Sequence, residues 1–262
     1  MRRSCSIFRS TRQDSWCAIS TLERPGHGAA TQACHAVWRV AYTERMTDPQ
    51  APATPRAHGP GRAFWEERFR AGQTPWERGD VHPQLTRWLA DGSLERSALN
   101  GAIAVPGCGS GREVAVLAKA GFDVVAIDYA AAAIELTRQR LHEEQSTAHL
   151  ALADVLTWQP AAPLAAVYEQ TCLCALHPDH WVAYAAQLHR WLRPGGRLLA
   201  LFMQFRREDA AQGFIQGPPY HGDIHAMRAL FRAPLWDWPK PPYDSVAHPL
   251  GASELALVLT RL

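Results

Sequence analysis

The sequence predicts an α/β fold in which a mostly parallel sheet is covered by helices on both faces. From about residue 100 to the end of the chain, short apolar runs alternate with segments of helical periodicity, which is the order expected of βα units. The runs are apolar nearly throughout, as is typical of strands that are covered on both faces. A glycine-rich motif between the first run and the first helix favours the same class.

The glycine motif is VPGCGSGR at residues 105–112. Gly107, Gly109 and Gly111 permit a tight turn from strand to helix and let a ligand approach the backbone closely. The next predicted strand ends in Asp128, whose carboxylate is suited to accept hydrogen bonds from ribose hydroxyls. The Gly-x-Gly-x-Gly order differs from the Gly-x-Gly-x-x-Gly of pyrophosphate sites. It therefore favours a cofactor without phosphate, S-adenosylmethionine, over a dinucleotide.

Seven strands are predicted along the chain. They cover 102–105, 123–128, 147–152, 163–168, 198–205, 235–239 and 254–262. The sequence LRPGGR at 192–197 is predicted to form the turn into the fifth strand. The last two strands are expected to form an antiparallel pair, which leaves the sheet mostly parallel.

Four helices are predicted between these strands from the spacing of their apolar residues. Val114, Leu117 and Ala118 share one face of helix 112–120, and Gly121 is a natural stop for it. The other predicted helices are 130–144, with Ile134, Thr137 and Leu141 toward the sheet; the helix after Pro178, with Trp181, Tyr184, Leu188 and Trp191 on one face; and 221–231.

Three further segments resemble a known enzyme family. They are FWEERF at 64–69, GQTPWE at 72–77 and GPPY at 217–220. Together with VPGCGSGR they resemble the thiopurine S-methyltransferase superfamily, especially its plant-type thiol and halide methyltransferase branch, over roughly residues 62–262. That branch shares the Val-Pro at the start of the motif, where most class I methyltransferases have an acidic residue. The resemblance implies a class I SAM-dependent methyltransferase (Rossmann-like) fold with a seven-stranded, mostly parallel sheet.

The resemblance also implies roles for individual residues. Trp65 and Trp76 would cap the cofactor, where aromatic faces attract a sulfonium cation. The other implied cofactor contacts are Gly107, Gly109 and Gly111, Asp128 and Tyr129 at the ribose, Asp154 and Val155 beside adenine, and Glu169 at the methionine amino group, while Tyr220 would border the acceptor. Two positions depart from the family pattern. Phe69 stands where a tryptophan is common, and Glu169 replaces a shorter aspartate.

Several of these residues have a structural alternative. The two tryptophans are equally suited to a hydrophobic lid without ligand contact, Asp154 to capping a turn, and Tyr220 to holding the Gly-Pro-Pro loop. His177 and His180 lie at the start of a predicted helix, with neither a third ligand nor a carboxylate at a suitable spacing. Neither a metal site nor a general base is therefore predicted there.

The implied reaction is methyl transfer from S-adenosylmethionine to a small soft nucleophile, a thiol above all. A sulfonium methyl is already activated, so in-line displacement chiefly requires alignment and exclusion of water, and a thiolate needs no dedicated base. Halides and reduced selenium or tellurium species are alternative acceptors. A protein that binds S-adenosylmethionine or S-adenosylhomocysteine without turnover is a second hypothesis. A nicotinamide oxidoreductase is a third, disfavoured by the glycine order.

Charge and composition set the first 45 residues apart. They carry a balance of +4 against a total of +2, so the remainder is slightly acidic at −2 and offers no electrostatic footprint for nucleic acid. No apolar run is long enough to cross a bilayer, and the first 45 residues contain no continuous apolar core of the kind that a secretory signal needs, so we expect none. We expect 1–57 to be a disordered extension and linker, with Met46 as an alternative start, and 58–262 to be the methyltransferase domain. The six cysteines are expected to be reduced thiols of a cytoplasmic protein.

Overall fold

The computed structural model describes residues 59–97, 99–207 and 215–262, and the extension expected at 1–57 lies outside these ranges. In chain order the helices are α1 Arg62–Arg70, α2 Pro83–Ala90, α3 Arg112–Lys119, α4 Ala131–Glu143, α5 Cys172–Ala175, α6 Trp181–Trp191 and α7 Ile224–Leu230. A 3-10 turn, Pro178–His180, leads into α6. The strands are β1 Ile103–Pro106, β2 Val124–Asp128, β3 His149–Leu152, β4 Leu164–Gln170, β5 Leu192–Gln204, β6 Trp236–Asp237, β7 Asp244–Ala247 and β8 Ser253–Arg261.

The strands form one sheet in the order β3-β2-β1-β4-β5-β8-β6, with β7 also paired to β8. β1 to β5 pair in parallel, whereas β8 is antiparallel to β5, β6 and β7. The chain places β2 and β3 on one side of β1 and then β4 and β5 on the other, so the strand order reverses between β1 and β4. In open α/β sheets, ligands bind outside the carboxyl ends of the strands at such a point.

Helices cover both faces of the sheet, as predicted. On one face, α2, α3 and α4 bury Leu85, Val114 and Ile134 against the strands. On the other face, α6 and α7 bury Tyr184 and Met227. Every residue of β1 and the first six of β4 are consequently buried, which explains why these strands are apolar without alternation.

The predicted helix faces are largely confirmed. α3 buries Val114 and Leu117, with Ala115 in place of Ala118. α7 begins at Ile224, later than predicted, because the Asp223 side chain accepts hydrogen bonds from the first free backbone N–H groups of the helix. The helices α4 and α6 bury residues predicted for them, namely Ile134, Thr137 and Leu141, and Tyr184, Leu188 and Trp191.

The described sheet has eight strands, one more than the seven predicted. The additional strand, β7, is mostly exposed and so lacks the apolar run that marks a buried strand. It lies with β6 along the outer edge of β8. The turn predicted at 192–197 is contained in β5, where the register with β4 shifts between Leu192 and Arg197. The predicted antiparallel pair of β6 and β8 is confirmed.

Candidate active site

A cavity of about 620 Å³ lies where the strand order reverses. The ends of β1, β2, β4 and β5 and the loops after them contribute Gly107, Asp128, Thr171 and Phe205 to its wall. Volumes of about 300 to 1000 Å³ are usual for pockets that enclose a small organic ligand. The position and the size agree with the cofactor site predicted from the glycine motif.

The three glycines of the motif have two different structural roles. All have positive φ, at 60° for Gly107, 55° for Gly109 and 72° for Gly111. A Cβ on Gly107 would lie 3.1 Å from Cβ of Cys172, across the cavity wall, and Gly109 also lines the cavity. Gly111 does not line it; a Cβ there would lie 2.6 Å from Cγ2 of Thr137 on α4. Gly111 therefore serves helix packing, and the first two glycines keep the cavity open.

Asp128 presents a buried carboxylate to the cavity at the end of β2. The backbone N–H of Ala130 donates to its Oδ1 at 2.9 Å, and that of Gly109 donates to its Oδ2 at 3.2 Å. Burial raises the pKa of Asp128 to about 6, although these hydrogen bonds oppose the rise. At neutral pH the carboxylate is ionised, and its remaining lone pairs are able to accept hydrogen bonds from hydroxyls.

The residues predicted beside adenine and ribose line the same cavity, namely Tyr129, Asp154 and Val155. The Tyr129 hydroxyl donates to the carbonyl of Pro60 at 3.4 Å. Asp154 accepts from the backbone N–H of Leu156 at 2.9 Å, so it caps a turn as well as facing the cavity. The structural alternative for Asp154 and its predicted place beside the ligand are thus compatible.

Trp65, Phe69 and Trp76 form an aromatic lid at one end of the cavity, and all three line it. The Trp76 ring lies 5.4 Å from that of Trp65 and 5.9 Å from that of Phe69, edge to face in both cases. Glu66 fixes the lid to α4, because its Oε2 accepts from the backbone N–H of Ala132 at 3.1 Å. The lid therefore presents aromatic surface to whatever binds beneath it.

Glu169 lies elsewhere than the resemblance implied. Its side chain is buried and is not among the residues that line the cavity. Its Oε1 accepts from the backbone N–H of Leu173 at 2.7 Å and so caps α5, while its Oε2 has no hydrogen-bond partner among the described residues. Burial raises the pKa of Glu169 to about 7. Its neighbour Thr171 lines the cavity, whereas Gln170 lines a smaller pocket of about 60 Å³ that also borders Thr171.

Tyr220 supports the loop before it and does not line the cavity, whereas Gly217, Pro218 and Pro219 do. Its backbone N–H donates to the carbonyl of Cys174 at 2.7 Å. A Cβ on Gly217 would lie 2.4 Å from the Tyr220 ring, so the loop folds tightly over that ring. This placement fits the structural alternative for Tyr220, and no contact with the cavity is formed.

The opposite side of the cavity was not predicted from the sequence. It is lined by Met203, Phe205, Arg207, His248 and Leu250, a group that we call the β5 end. The first three lie at or just after the carboxyl end of β5, where the strand-end rule would have located them. His248 and Leu250 lie between β7 and β8, and no sequence signal identified that hairpin.

A buried ionic cluster lies behind the β5 end, made of Arg78, His82 and Glu254. Oε2 of Glu254 accepts from Arg78 at 2.6 Å and lies 2.9 Å from Nε2 of His82. Burial alone would raise the pKa of Glu254, but the hydrogen bond from His82 and the nearby positive groups outweigh it and hold the pKa below its usual value. Arg78 also donates to the carbonyl of Ala247 at 2.6 Å. The cluster thus joins the segment after the lid to the β7–β8 hairpin.

Two thiols, those of Cys172 and Cys174, also line the cavity. Both belong to α5, are buried and form no disulfide. Burial, together with the charge of Glu169, raises the pKa of each thiol well above its usual value.

The residues present fit an adenosyl cofactor with a sulfonium centre. The Asp128 carboxylate suits ribose hydroxyls, the open positions at Gly107 and Gly109 admit a ligand against the backbone, and the lid supplies aromatic faces for a cation. Within the described ranges, no group of three or more His, Cys, Asp or Glu side chains is arranged to hold a metal ion. No described helix has the length and apolar character needed to span a membrane.

Comparison with known proteins gives consistent matches. Residues 61–250 match the sequence model of the thiopurine S-methyltransferase (TPMT) family. Probable thiol methyltransferase 2 of Arabidopsis thaliana is 28% identical over 200 residues, covering 76% of this chain and 77% of that protein. Thiopurine S-methyltransferase of Legionella pneumophila (strain Corby) is 29% identical over 178 residues, covering 61% of this chain and 76% of that protein.

The solved structures agree on the fold. Magnesium protoporphyrin IX methyltransferase from Synechocystis PCC 6803, solved with bound S-adenosylhomocysteine, aligns with a TM-score of 0.60 at 15% identity, covering 77% of this chain and 97% of that one. The family match covers more than half of the chain, including the glycine loop, the aromatic lid and Asp128. The chain therefore belongs to the thiopurine S-methyltransferase family and is an S-adenosylmethionine-dependent methyltransferase.

Proposed function

We propose that this methyltransferase acts on the sulfur of a small thiol. The observation that carries the proposal is one cavity that joins Asp128 and the aromatic lid to a β5 end walled by Met203, Phe205 and Leu250. A mostly apolar space beside the proposed cofactor position suits a small, soft and weakly hydrated nucleophile. Relatives named thiol methyltransferase and thiocyanate methyltransferase support the same class of acceptor.

We propose that the residues lining the lid side of the cavity hold the cofactor. When bound, S-adenosylmethionine supplies a methyl group already activated by its sulfonium centre. The proposed contacts are the backbone at Gly107 and Gly109, the Asp128 carboxylate and Tyr129 at the ribose, Asp154 and Val155 beside adenine, and Trp65 and Trp76 over the sulfonium. Gly111, Glu169 and Tyr220 act through structure in this proposal, since none of them lines the cavity.

The contribution of the protein to the reaction is alignment and exclusion of water. The lid and the Gly217–Pro219 loop both line the cavity, and holding the two reactants in line there would remove much of the entropic barrier to displacement. A thiol that is partly ionised near neutral pH is already a competent nucleophile. We therefore propose that the enzyme selects the thiolate and supplies no general base.

Halides and reduced selenium or tellurium anions are further candidate acceptors, and they need no base either. These soft nucleophiles are alternatives within the same proposal. We also place the protein in the cytoplasm, a location supported by the free thiols of Cys108, Cys172 and Cys174.

The proposal is tested by methyl transfer from labelled S-adenosylmethionine to a panel of small thiols, halides and chalcogen anions. Thiols are expected to accept the label, with pH–rate profiles that follow the pKa of each thiol. A protein-supplied base would instead give one pKa that recurs across the series. Loss of such a recurring pKa in His177→Ala or in His248→Asn would contradict the base-free mechanism. Binding of S-adenosylhomocysteine without transfer to any thiol would contradict the proposed function.

A further inference from the structure

The β5 end carries charge that the proposed reaction does not use. Arg207 follows β5 directly and lines the cavity beside Phe205 and Pro218. Its guanidinium lies over the Phe205 ring at 5.0 Å and donates to the carbonyl of Pro218 at 3.4 Å. Its Nε is buried and has no hydrogen-bond partner among the described residues. The guanidinium carries five N–H donors, and among the described residues the Pro218 carbonyl accepts from one nitrogen, Nη2. Because Arg207 lines the cavity, its remaining terminal donors are available to a ligand there.

No described carboxylate forms an ion pair with Arg207. Its neighbour Arg206 differs, since it points outward and lies 3.6 Å from Oδ2 of Asp223. Two carboxylates line the cavity: Asp128 is the last residue of β2, and Asp154 follows β3. The end of β2 is three strands away from that of β5 in the sheet order, or about 14 Å at the usual strand spacing, so the strand that carries Asp128 is well separated from the one that leads to Arg207.

His248 adds a hydrogen-bond donor to the same end. Its Nδ1 accepts from the backbone N–H of Leu250 at 3.2 Å, which leaves the proton of the neutral ring on Nε2. Burial lowers the pKa of His248, against the opposing charge of Glu254, so the ring is neutral at physiological pH. The β5 end therefore presents a cation and a neutral donor between the apolar side chains of Met203 and Leu250.

We propose that the acceptor is a small thiol that also carries a carboxylate, and that Arg207 binds this second group. The inference rests on the proposed function and names its substrate class. The carboxylate keeps its charge throughout the transfer, so its contact with Arg207 strengthens substrate binding. A cation beside the reacting sulfur would instead stabilise the thiolate more than the transition state, in which the negative charge on sulfur is disappearing. Arg207 thus suits the end of the acceptor remote from sulfur.

The test compares three thiols of similar size and different charge: mercaptoacetate, 2-mercaptoethanol and cysteamine. Their kcat/KM values are expressed per concentration of thiolate, which removes the differences in thiol pKa. The enzyme is expected to prefer mercaptoacetate over 2-mercaptoethanol by about 10- to 100-fold, the range of a charge-assisted hydrogen bond, with cysteamine last. Equal values for the three thiols would overturn the proposal.

Variants assign the preference to one side chain. Arg207→Gln should abolish the preference for mercaptoacetate, raise its KM and leave 2-mercaptoethanol within about threefold, while Arg207→Lys should restore part of the preference. Arg206→Gln is the matched control, because this exposed neighbour carries the same charge, and it should retain the full preference. An equal loss for all three thiols in Arg207→Gln would overturn the proposal, since it would place Arg207 at the reacting sulfur or in the fold.

A binding measurement distinguishes failure of this proposal from failure of the proposed function. S-adenosylhomocysteine should bind the wild type and all three variants with equal affinity in calorimetric titrations. Titration of the loaded enzyme with the S-methyl products, (methylthio)acetate and 2-(methylthio)ethanol, then requires no turnover. Tighter binding of the carboxylate product, lost in Arg207→Gln, would support the anion site even if no thiol is methylated. Equal affinity for the two products would overturn it.

Discussion

Replacing Asp128 by Asn should weaken cofactor binding and remove its dependence on pH. The carboxylate oxygens already accept from Ala130 and Gly109 at 2.9 and 3.2 Å, and the lone pairs that remain face the cavity. Loss of a hydrogen bond to a charged group leaves polar atoms unpaired at a cost of about 1 to 3 kcal/mol, or about five- to 150-fold in Kd. The side-chain NH2 of the Asn would also face the backbone N–H of Gly109, so that two donors meet, and this adds to the loss of affinity.

The pH dependence follows from the raised pKa of Asp128. Because that pKa is about 6, the wild type should lose affinity for S-adenosylhomocysteine as the pH falls below about 6, approaching tenfold per pH unit. The folding stability of the unliganded protein should show the opposite trend and fall as the pH rises to about 6. A buried carboxyl with a raised pKa stabilises the fold below its unfolded pKa, and this contribution is lost as the pH rises to about 6. The shift from 3.8 to about 6 corresponds to about 3 kcal/mol.

The measurement is calorimetric titration with S-adenosylhomocysteine between about pH 5.5 and 8, with urea unfolding of the unliganded proteins between about pH 4 and 7, the range that contains the expected change in stability. Asp123→Asn is the control, because this exposed residue precedes β2 and lies at the other end of the strand. It should bind like the wild type at every pH. A wild-type affinity that is constant over this range, or an Asp128→Asn variant that binds like the wild type, would refute the assignment of Asp128 to the cofactor.

Three further predictions concern stability and boundaries. Glu254→Ala should lower the free energy of unfolding, measured by urea titration, by about 3 to 5 kcal/mol, because it leaves two buried partners unpaired. The control, Glu144→Ala, breaks a surface pair with Lys119 and should lower it by at most about 1 kcal/mol. Gly111→Ala should lower the free energy of unfolding by about 1 to 3 kcal/mol more than Gly195→Ala does. Both glycines have positive φ, but Gly195 has no neighbour within 4 Å of an added Cβ. Equal losses of stability would contradict the packing role of Gly111. A chain that begins at Met46 should bind S-adenosylhomocysteine like the full chain, and a weaker titration would contradict the proposed boundary.

The parallel half of the fold was predictable because its signals are local. β1, β2 and β4 are buried apolar runs, and the glycine loop and Asp128 follow from the strand ends. The antiparallel half was harder to predict. β7 is an exposed edge strand whose pairing is set by a neighbour later in the chain. No helix is predicted upstream of residue 100, yet α1 and α2 form there, with the lid on and after α1.

Side-chain direction explains why two of the predicted site residues, Glu169 and Tyr220, do not line the cavity. Successive residues of a strand point to opposite faces of the sheet, so Glu169 and Gln170 do so on β4. The Glu169 carboxylate lies beneath α5, where it accepts a hydrogen bond from the backbone N–H of Leu173. Tyr220 is drawn beneath its loop in the same way. Arg207 was missed although it follows the carboxyl end of β5, where ligands are expected. His248 was missed because its position depends on the β7–β8 pairing, for which a single sequence gives no register.

The two thiols in the cavity wall have a chemical consequence for the enzyme itself. Cys172 and Cys174 line the space in which methyl transfer is proposed to occur, and a thiol there is a competing target for the enzyme's own methyl donor. The attacking species is the thiolate, and burial beside Glu169 raises both pKa values well above the usual range. Both side chains therefore stay protonated and inert, and the intact mass should be unchanged after long incubation with S-adenosylmethionine. A gain of one methyl group on α5 would show that this protection fails. In this family member, the burial of α5, reinforced by Glu169 when that side chain is ionised, would guard the catalyst against modifying itself.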